Sequence, residues 1–329
     1  MQSTRDLTDS VDRRAGSLLP LRAALPEDSS QGVTHTSEGS VLVIVSRISG
    51  GLGNQMFQYA AGRRLADRLG TSLMLDLSSF RNDPLRAFAL DRYELRTDAM
   101  TDAMRARLPV RFGGSWWRRL LRVNGAAIRV LREKGLGYQP GIESAGDDTM
   151  LVGYWQSERY FSDLRPQLLR EFALTTPVSG RDAEVAAEMA ASISVAIHVR
   201  RGDYVSNTGT HQTYGTCDPD YYQKSADVLA REIGPIRLFV FSDDPDWCRA
   251  SLRFEYPMVI VDHNDAARSC EDLRLMSQAQ HFIIANSSFS WWAAWLATTP
   301  GKIVCAPKRW FRSDERDETD IVPTVWRRV

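Results

Sequence analysis

Five ionisable side chains follow a short apolar run near the middle of the chain. Residues 194–197 read Ser-Val-Ala-Ile, which predicts a buried strand, and they are followed by His198-Val199-Arg200-Arg201-Gly202-Asp203-Tyr204. Ligands of open α/β sheets bind at the carboxyl ends of strands. Arginine suits phosphate because its planar guanidinium donates two parallel charge-assisted hydrogen bonds. The segment therefore predicts an anion site, and a salt-bridged loop is the alternative.

A second polar segment, Phe241-Ser242-Asp243-Asp244-Pro245-Asp246, follows the apolar residues 238–240. Its carboxylates fit three roles. An aspartate before a proline is typical of a helix N-cap. Asp244 and Asp246 have the spacing to hold a divalent cation on a diphosphate. A carboxylate can also accept two parallel hydrogen bonds from the edge of guanine. The sequence leaves these three roles open.

A third apolar run, residues 283–285, leads into Asn286-Ser287-Ser288-Phe289-Ser290-Trp291-Trp292. We expect a helix to begin here. Its free backbone N–H groups and positive dipole end would bind phosphate, and the hydroxyls of Ser287 and Ser288 would add donors. Capping alone needs only one serine. The tryptophans of this segment, including Trp295, are interpreted as core residues rather than ligand contacts.

A glycine-rich turn lies near the start of the patterned part of the chain. Residues 41–45 predict a buried strand, and Gly50-Gly51-Leu52-Gly53-Asn54-Gln55-Met56 follow it and open a helix. A dinucleotide fingerprint is only weakly matched, because Met56 stands where the third glycine belongs. The side chains of Asn54 and Gln55 can donate and accept at a helix start, which suits neutral hydroxyl groups.

Strand and helix patterns alternate along most of the remaining chain, which predicts an α/β protein with a parallel sheet. In the second half we expect strands near residues 195–198, 237–241, 258–261, 282–285 and 303–306, with helices between them. The Pro-Val-Ser-Gly stretch at 177–180 is a plausible linker between two domains. Because parallel strands end at the same edge, the three polar strand ends should share one cleft. Arginine, a helix N-terminus, carboxylates and facing amides together suit a sugar nucleotide better than NAD or ATP.

Composition limits the classes of protein that remain. The 41 basic and 41 acidic residues balance, so the chain lacks the basic excess of a nucleic-acid-binding domain. The four cysteines are widely spaced, which argues against a structural zinc site and for free thiols in a reducing compartment. No apolar run is long enough to cross a bilayer, and the N-terminus is not typical of a signal peptide. We therefore expect a cytoplasmic protein, with residues 1–40 as a disordered tail or a partner-binding arm.

The motifs named above, taken together and in this order, resemble those of the α-1,2-fucosyltransferases of glycosyltransferase family 11, of bacterial type. The resemblance covers roughly residues 41–310. It implies a GT-B-like fold in which two Rossmann-like domains face a cleft, with the parallel sheet in the C-terminal half. Residues 41–176 would form the acceptor-side domain, residues 177–310 would bind GDP-β-L-fucose, and residues 311–329 would be a C-terminal tail.

The resemblance also implies an activity and a set of roles. L-fucose would be transferred with inversion to the 2-hydroxyl of a galactose-terminated oligosaccharide or glycolipid, with no metal required. Arg200 would contact the diphosphate, and His198 with Asp243 or Asp244 would hold guanine or ribose. Ser287 and Ser288 would help hold the phosphates, Asn286 would be a further donor-binding residue, and Asn54, with Gln55 nearby, would lie by the fucose. Asp203 and His211 are candidate bases for the acceptor hydroxyl, with a salt bridge as the alternative role of Asp203.

Between Arg105 and Lys134 lie nine basic residues, one acidic residue (Glu133) and the pair Trp116-Trp117. A basic helix with paired tryptophans can lie on an anionic membrane surface, so peripheral contact with the inner face of a bacterial membrane is one interpretation. The other is a solvated cationic face with tryptophan in the core. Two further functions remain as alternatives: a transferase of similar fold that uses another GDP-sugar, and a non-catalytic protein that binds glycans or nucleotides.

Overall fold

The computed structural model describes residues 42–83, 85–98, 128–312 and 316–329, without the side chains of Asn82, Asp203, Ser206 and Thr210. The expected tail of residues 1–40 and the basic segment 105–127 lie outside this description. Residues 40–329 form one compact unit. In the described ranges, no helix is both long and apolar enough to cross a bilayer.

The first half of the unit contains a four-stranded parallel sheet. Its strands are β1 (Val43–Arg47), β2 (Ser72–Asp76), β3 (Arg129–Arg132) and β4 (Thr149–Val152), in the order β2-β1-β4-β3. Helix α1 (Leu52–Leu69) joins β1 to β2 and ends at Gly70, whose left-handed φ of 62° lets its N–H group reach the carbonyls of Ala66 and Asp67. The switch point of this sheet lies between β1 and β4, where the chain order reverses.

The second half contains a six-stranded parallel sheet. Its strands are β5 (Ile193–Val199), β6 (Ile236–Ser242), β7 (Met258–Val261), β8 (His281–Ile283), β9 (Val304–Ala306) and β10 (Arg327–Arg328). The order β7-β6-β5-β8-β9-β10 corresponds to 3-2-1-4-5-6, the order of a doubly wound nucleotide-binding sheet, with its switch point between β5 and β8. The expectation of an α/β fold with two parallel halves is confirmed.

Eight helices of the described chain follow α1. They are α2 (Arg165–Glu171), α3 (Gly180–Ala190), α4 (Gly202–Ser206), α5 (Thr208–Tyr214), α6 (Pro219–Ile233), α7 (Pro245–Ser251), α8 (Ser269–Met276) and α9 (Ser288–Leu296). Two of them, α4 and α5, are short and largely polar. Their residues alternate too little in polarity for an apolar face to be seen in the sequence.

Residues 316–329, which the sequence prediction assigned to a C-terminal tail, include a strand of the second sheet, and this corrects that prediction. β10 pairs with β9, and the Val329 N–H group donates to the carbonyl of Ala306 at 3.0 Å. The Trp291 indole nitrogen donates to the carbonyl of Ile321 at 2.7 Å, and Trp326 is buried. A strand of two residues with arginine at both positions carries no apolar pattern, so the sequence could not indicate it.

The two sheets share one apolar core, in which α1 packs against α9. The ring of Phe57 on α1 lies 4.5 Å from that of Trp291 and 5.0 Å from that of Trp292, centroid to centroid. Phe161 stacks on Trp292 at 5.3 Å with an interplanar angle of 16°. All three tryptophans of α9 are buried, which confirms their interpretation as core residues. This aromatic cluster fixes the first turns of α1 and α9 relative to each other.

Candidate functional site

The carboxyl ends of the two sheets meet where α1 and α9 begin. A Cβ atom on Gly53, in the first turn of α1, would stand 2.5 Å from the backbone nitrogen of Phe289 and would also collide with the backbone of Ser288. Real Cβ atoms do not approach backbone so closely. Gly53 is therefore required for this contact, and two helix N-termini lie side by side at the switch points of the two sheets.

The N-terminus of α9 carries hydrogen-bond donors that no side chain caps. Ser287 is its N-cap residue, but the Ser287 hydroxyl makes no capping hydrogen bond. The opposite end of α9 is capped by two cations: the Lys302 ammonium donates to the carbonyls of Ala294 (2.6 Å) and Ala297 (2.7 Å), and Arg165 donates to Trp295 and Ala297. Protein cations thus satisfy the negative end of the α9 dipole, whereas the positive end, at the N-terminus, remains available to a ligand in the cleft.

Asn286, a predicted donor-binding residue, uses its amide on the protein backbone. Its Nδ2 donates to the carbonyl of Tyr214 at 2.9 Å and to that of Trp310 at 3.1 Å, and the side chain is buried. Both amide hydrogens are therefore committed. Ser287 and Ser288, one and two residues further along, remain the hydroxyls of this segment that lie at the start of α9.

Arg200 and Arg201 each pair with one of the two aspartates that follow β6. The Arg200 guanidinium lies 2.8 Å from Asp243, and the Arg201 guanidinium lies 3.0 Å from Asp244. Asp243 also accepts the backbone N–H of Arg201 at 2.8 Å. A Cβ on Gly202 would stand 2.5 Å from the Asp243 carboxylate, so a side chain at this position would displace that carboxylate. The first two polar segments of the sequence are therefore joined, as expected for neighbouring strand ends.

Of the three roles open to the 243–246 carboxylates, capping is the one that the structure shows. Asp244 is the N-cap of α7 and accepts from the Trp247 N–H group at 3.1 Å, with Pro245 at the first helical position. Asp246 is exposed and pairs with Arg249 on the same helix. Arg201 also lies over the Trp247 ring, 4.1 Å from its centroid. Asp243 and Asp244 both lie at the site, and each is bonded to an arginine there.

His198 lies at the end of β5, packed beside the first turn of α9. It is only 5% exposed, and its Nδ1 has no hydrogen-bond partner in the described part of the chain. Its ring centroid lies 5.3 Å from that of Phe289. Burial lowers the pKa of His198 to about 3, and the nearby Arg200 charge acts in the same direction. The imidazole is therefore neutral at physiological pH, and its unpartnered Nδ1 is enclosed by protein.

The two candidate bases lie on the short helices after β5. The Nδ1 of His211 lies 2.8 Å from the carbonyl of Tyr204, and because a carbonyl can only accept, Nδ1 carries the hydrogen. In the tautomer that this bond selects, the other ring nitrogen, Nε2, carries a lone pair, which a general base requires. Asp203 lies in α4, and its side chain is outside the described part, so both of its predicted roles remain predictions.

The amides at the start of α1 have different uses. Gln55 is fully buried, and its Nε2 donates to the carbonyls of Gly50 and Ala87, both at 2.8 Å, while its Oε1 accepts from Ala89 N–H at 2.9 Å. These bonds use both amide hydrogens and hold the segment 87–89 against α1. Asn54 is half-buried, and its Oδ1 accepts from Gln156 Nε2 at 2.7 Å. Among the described residues, nothing accepts from the Asn54 amide hydrogens, so Asn54 is the residue of this pair that can donate to a ligand.

Sequence reasoning missed the corner of residues 153–156, which follows β4. Trp155 has a φ of 57°, which is uncommon for any residue other than glycine and strained for a bulky one. Glu133 holds this corner: its carboxylate accepts from the N–H groups of Tyr154 (2.6 Å) and Trp155 (3.0 Å). Burial raises the pKa of Glu133 above its ordinary value, although both of these hydrogen bonds oppose the rise. Gly153 was the one visible signal, since a Cβ there would stand 2.6 Å from Glu133 Oε2.

Arg86 is a second residue that the sequence did not indicate. Its guanidinium lies 3.7 Å from the point that a Cβ on Gly51, the N-cap residue of α1, would occupy. Arg86 directly precedes the segment 87–89 that Gln55 holds. A cation beside the positive end of a helix adds to the positive potential of the cleft.

Comparison with known proteins relates the chain to a family of glycosyltransferases. Residues 146–328 match the family described as "Glycosyl transferase family 11". The chain is 34% identical over 297 residues to an α-1,2-colitosyltransferase of Escherichia coli, covering 87% of this chain and 99% of that protein. It is 29% identical to the O-antigen biosynthesis glycosyltransferase WbnK of Escherichia coli, covering 83% and 96%. Among solved structures, the fucosyltransferase NodZ from Bradyrhizobium superposes with a TM-score of 0.47 at 15% identity, covering 81% of this chain and 96% of that one.

A doubly wound sheet with helix N-termini and arginines at its switch point is typical of proteins that bind nucleotides or other phosphorylated ligands. The sequence matches identify the family within this class. The chain belongs to glycosyltransferase family 11, and it is a glycosyltransferase.

Proposed function

We propose that this protein transfers L-fucose from GDP-β-L-fucose to the 2-hydroxyl of a terminal galactoside, with inversion at the anomeric carbon. The observation that carries the proposal is the placement of Arg200 and the uncapped first turn of α9 at the switch point of the C-terminal sheet, in a chain of family 11. Both groups favour negative charge, and the diphosphate is where negative charge develops when the sugar departs.

The reaction would be a single displacement. The acceptor oxygen forms a bond to the anomeric carbon while the bond from that carbon to the β-phosphate oxygen breaks, and GDP leaves with the electron pair. The transition state resembles an oxocarbenium ion, so stabilisation of the leaving diphosphate is the large electrostatic contribution. The proton of the acceptor hydroxyl passes to a base, and the free Nε2 lone pair of His211 makes that residue a candidate beside Asp203.

A turnover assay tests the proposal. Release of GDP from GDP-fucose is measured in EDTA, with and without lactose or a lacto-N-biose acceptor, and the product linkage is read by NMR. We expect acceptor-stimulated release that persists in EDTA and falls by about 10²-fold or more in Arg200→Ala. Loss of activity in EDTA with recovery in manganese would refute the metal-free mechanism. Absence of turnover across a panel of galactosides would refute the fucosyl transfer.

A second donor is favoured by a specific observation, since the 34% identical relative is named a colitosyltransferase. Colitose is the 3-deoxy counterpart of L-fucose, so the two GDP-sugars differ by one hydroxyl group. A site that hydrogen-bonds this hydroxyl rejects the deoxy sugar strongly, because a buried polar group is then left without its partner. The kcat/KM for GDP-fucose divided by that for GDP-colitose decides between the two donors. A ratio well below one would mean that colitose, and not fucose, is the transferred sugar.

We also propose that the enzyme works in the cytoplasm and that residues 105–134 bring it to the membrane that carries a glycolipid acceptor. The support is the sequence alone: nine basic residues, one acidic residue and paired tryptophans. Flotation with anionic and with zwitterionic liposomes tests the membrane contact. We expect binding to the anionic vesicles only, and it should be lost when Arg118 and Arg119 are both replaced by glutamine. A protein that stays unbound on anionic vesicles at low salt contradicts the proposal.

A further inference from the structure

Gln156 stands at the end of a corner that two other elements hold in place. Glu133, the residue after β3, accepts from Tyr154 and Trp155, and Gln58 of α1 donates to the carbonyl of Gly153 at 3.0 Å. The Gln58 amide also bonds Ser49, just after β1, through its Oε1 and its Nε2. The corner is therefore tied to both strands that flank the switch point of the first sheet.

The corner of residues 153–156 directs the Gln156 side chain toward Asn54. Trp155 turns the chain through its left-handed conformation, and the next residue, Gln156, is only 8% exposed and donates from Nε2 to Asn54 Oδ1 at 2.7 Å. A hydrogen bond to the amide oxygen leaves the two Nδ2 hydrogens of Asn54 as the groups that a ligand can meet. Asn54 stands in the first turn of α1, one residue after the glycine that contacts α9.

We propose that Gln156 is a positioning residue, which orients the Asn54 amide so that Asn54 acts as a hydrogen-bond donor to an oxygen of the transferred sugar. The inference rests on the proposed function for the identity of the ligand, and it specifies the direction of the hydrogen bond. It also explains why a strained tryptophan and a half-buried glutamate stand at this switch point: both fix the position of Gln156.

A double-mutant cycle tests whether Gln156 acts through Asn54. The variants Asn54→Ala, Gln156→Ala and the double variant are compared for affinity to GDP-fucose and to GDP by calorimetry, and for kcat/KM. We expect Gln156→Ala to weaken GDP-fucose binding about 3- to 10-fold in the wild-type background and less than about 2-fold when Asn54 is already alanine. Affinity for GDP, which lacks the sugar, should be the same in all four proteins.

The substitution Gln156→Glu tests the direction of the hydrogen bond. When protonated, the introduced carboxyl group can still donate to Asn54 Oδ1, whereas the ionised carboxylate can only accept and repels that oxygen. We therefore expect kcat/KM of the variant, divided by that of the wild type, to fall about 10-fold as pH rises through the pKa of the introduced carboxyl group. Dividing by the wild type removes the titration of Glu133, the ionisable group that holds the corner.

Gln139→Glu is the matched control, because Gln139 accepts the Lys134 N–H at 3.1 Å through its oxygen and a carboxylate keeps that bond. Its activity ratio should be flat with pH. A flat ratio for Gln156→Glu, or additive losses in the cycle, overturns the inference. Wild-type protein that binds GDP-fucose without turnover refutes the transfer reaction, while the binding cycle still decides the role of Gln156. Wild-type protein that binds neither ligand overturns both.

Discussion

The backbone of Gly53 lies directly against the backbone of Ser288, so the first turns of α1 and α9 meet in the cleft. The aromatic contacts of Phe57 with Trp291 and Trp292, one turn further along both helices, hold this approach. Two helix ends that would bind an anion are thus brought together by packing behind them. The site depends on a contact in which no charged side chain takes part.

Replacing Gly53 with alanine tests this dependence. The added methyl group must separate the two first turns, and we expect a loss of about 1–3 kcal/mol in the free energy of unfolding together with weaker GDP binding. Thermal unfolding and calorimetry measure the two effects. Gly141→Ala is the control, since a Cβ at Gly141 meets nothing within 4 Å. Wild-type stability and GDP affinity in Gly53→Ala would show that the contact is unimportant.

Two substitutions of Asp244 distinguish its role as a helix cap from a role in binding guanine. Asn is as good an N-cap as Asp, so Asp244→Asn should keep the bond to the Trp247 N–H group, while Asp244→Ala should cost about 1 kcal/mol more in stability. If Asp244 instead accepts from guanine, Asp244→Asn weakens GDP binding without a matching loss of stability. Unfolding curves and GDP titrations of both variants distinguish these outcomes, and we expect the first.

The fold was largely predictable because its strands are apolar and its helices regular. The strands that the sequence predicts near residues 237–241 and 258–261 are β6 and β7 of the structure. β3 and β10 were not, because β3 is largely exposed with arginine at both ends, and β10 is two arginines long. Neither strand has the alternation or the apolar run by which a strand is recognised.

The candidate site was predictable as a set of strand ends but not residue by residue. Gln55 and Asn286 have the residue types of ligand contacts, yet their amides bind backbone carbonyls. A sequence shows that a polar group stands at a strand end, but it does not show whether a ligand or the backbone is its partner. Gln156 could not be identified from the sequence, because its partner Asn54 is 102 residues away in the chain.

His198 should make the stability of the protein depend on pH. Its pKa is lowered to about 3 in the folded state, so between that value and its ordinary pKa of about 6.5 the unfolded state binds one more proton. Stability should therefore fall as pH drops below about 6.5, by up to about 2 kcal/mol at pH 5 from this group. Burial raises the pKa of Asp272 to about 6, so this group makes stability rise as pH falls, opposite to His198. The effect of His198 must therefore be measured between two proteins that both contain Asp272.

The variant His198→Asn removes the titrating group. Chemical denaturation at pH 7 and pH 5 should show a smaller loss of stability on acidification in this variant than in the wild type. Equal losses in the two proteins would mean that His198 becomes protonated in the folded state. GDP affinity at pH 7, measured on the same samples, shows in addition whether the unpartnered Nδ1 of His198 contributes to the nucleotide site.

Two substitutions, one on α4 and one on α5, identify which residue is the general base for the acceptor hydroxyl. Because His211 Nδ1 carries the hydrogen that bonds Tyr204, its Nε2 can accept a proton. If His211 is the base, His211→Ala should lower kcat by about 10²–10⁴-fold with little change in GDP affinity, and Asp203→Asn should have a much smaller effect. The reverse pattern would assign the proton to Asp203. Single-turnover rates with saturating acceptor make this comparison, since they exclude product release, and equal modest losses in both variants would mean that neither residue takes the proton.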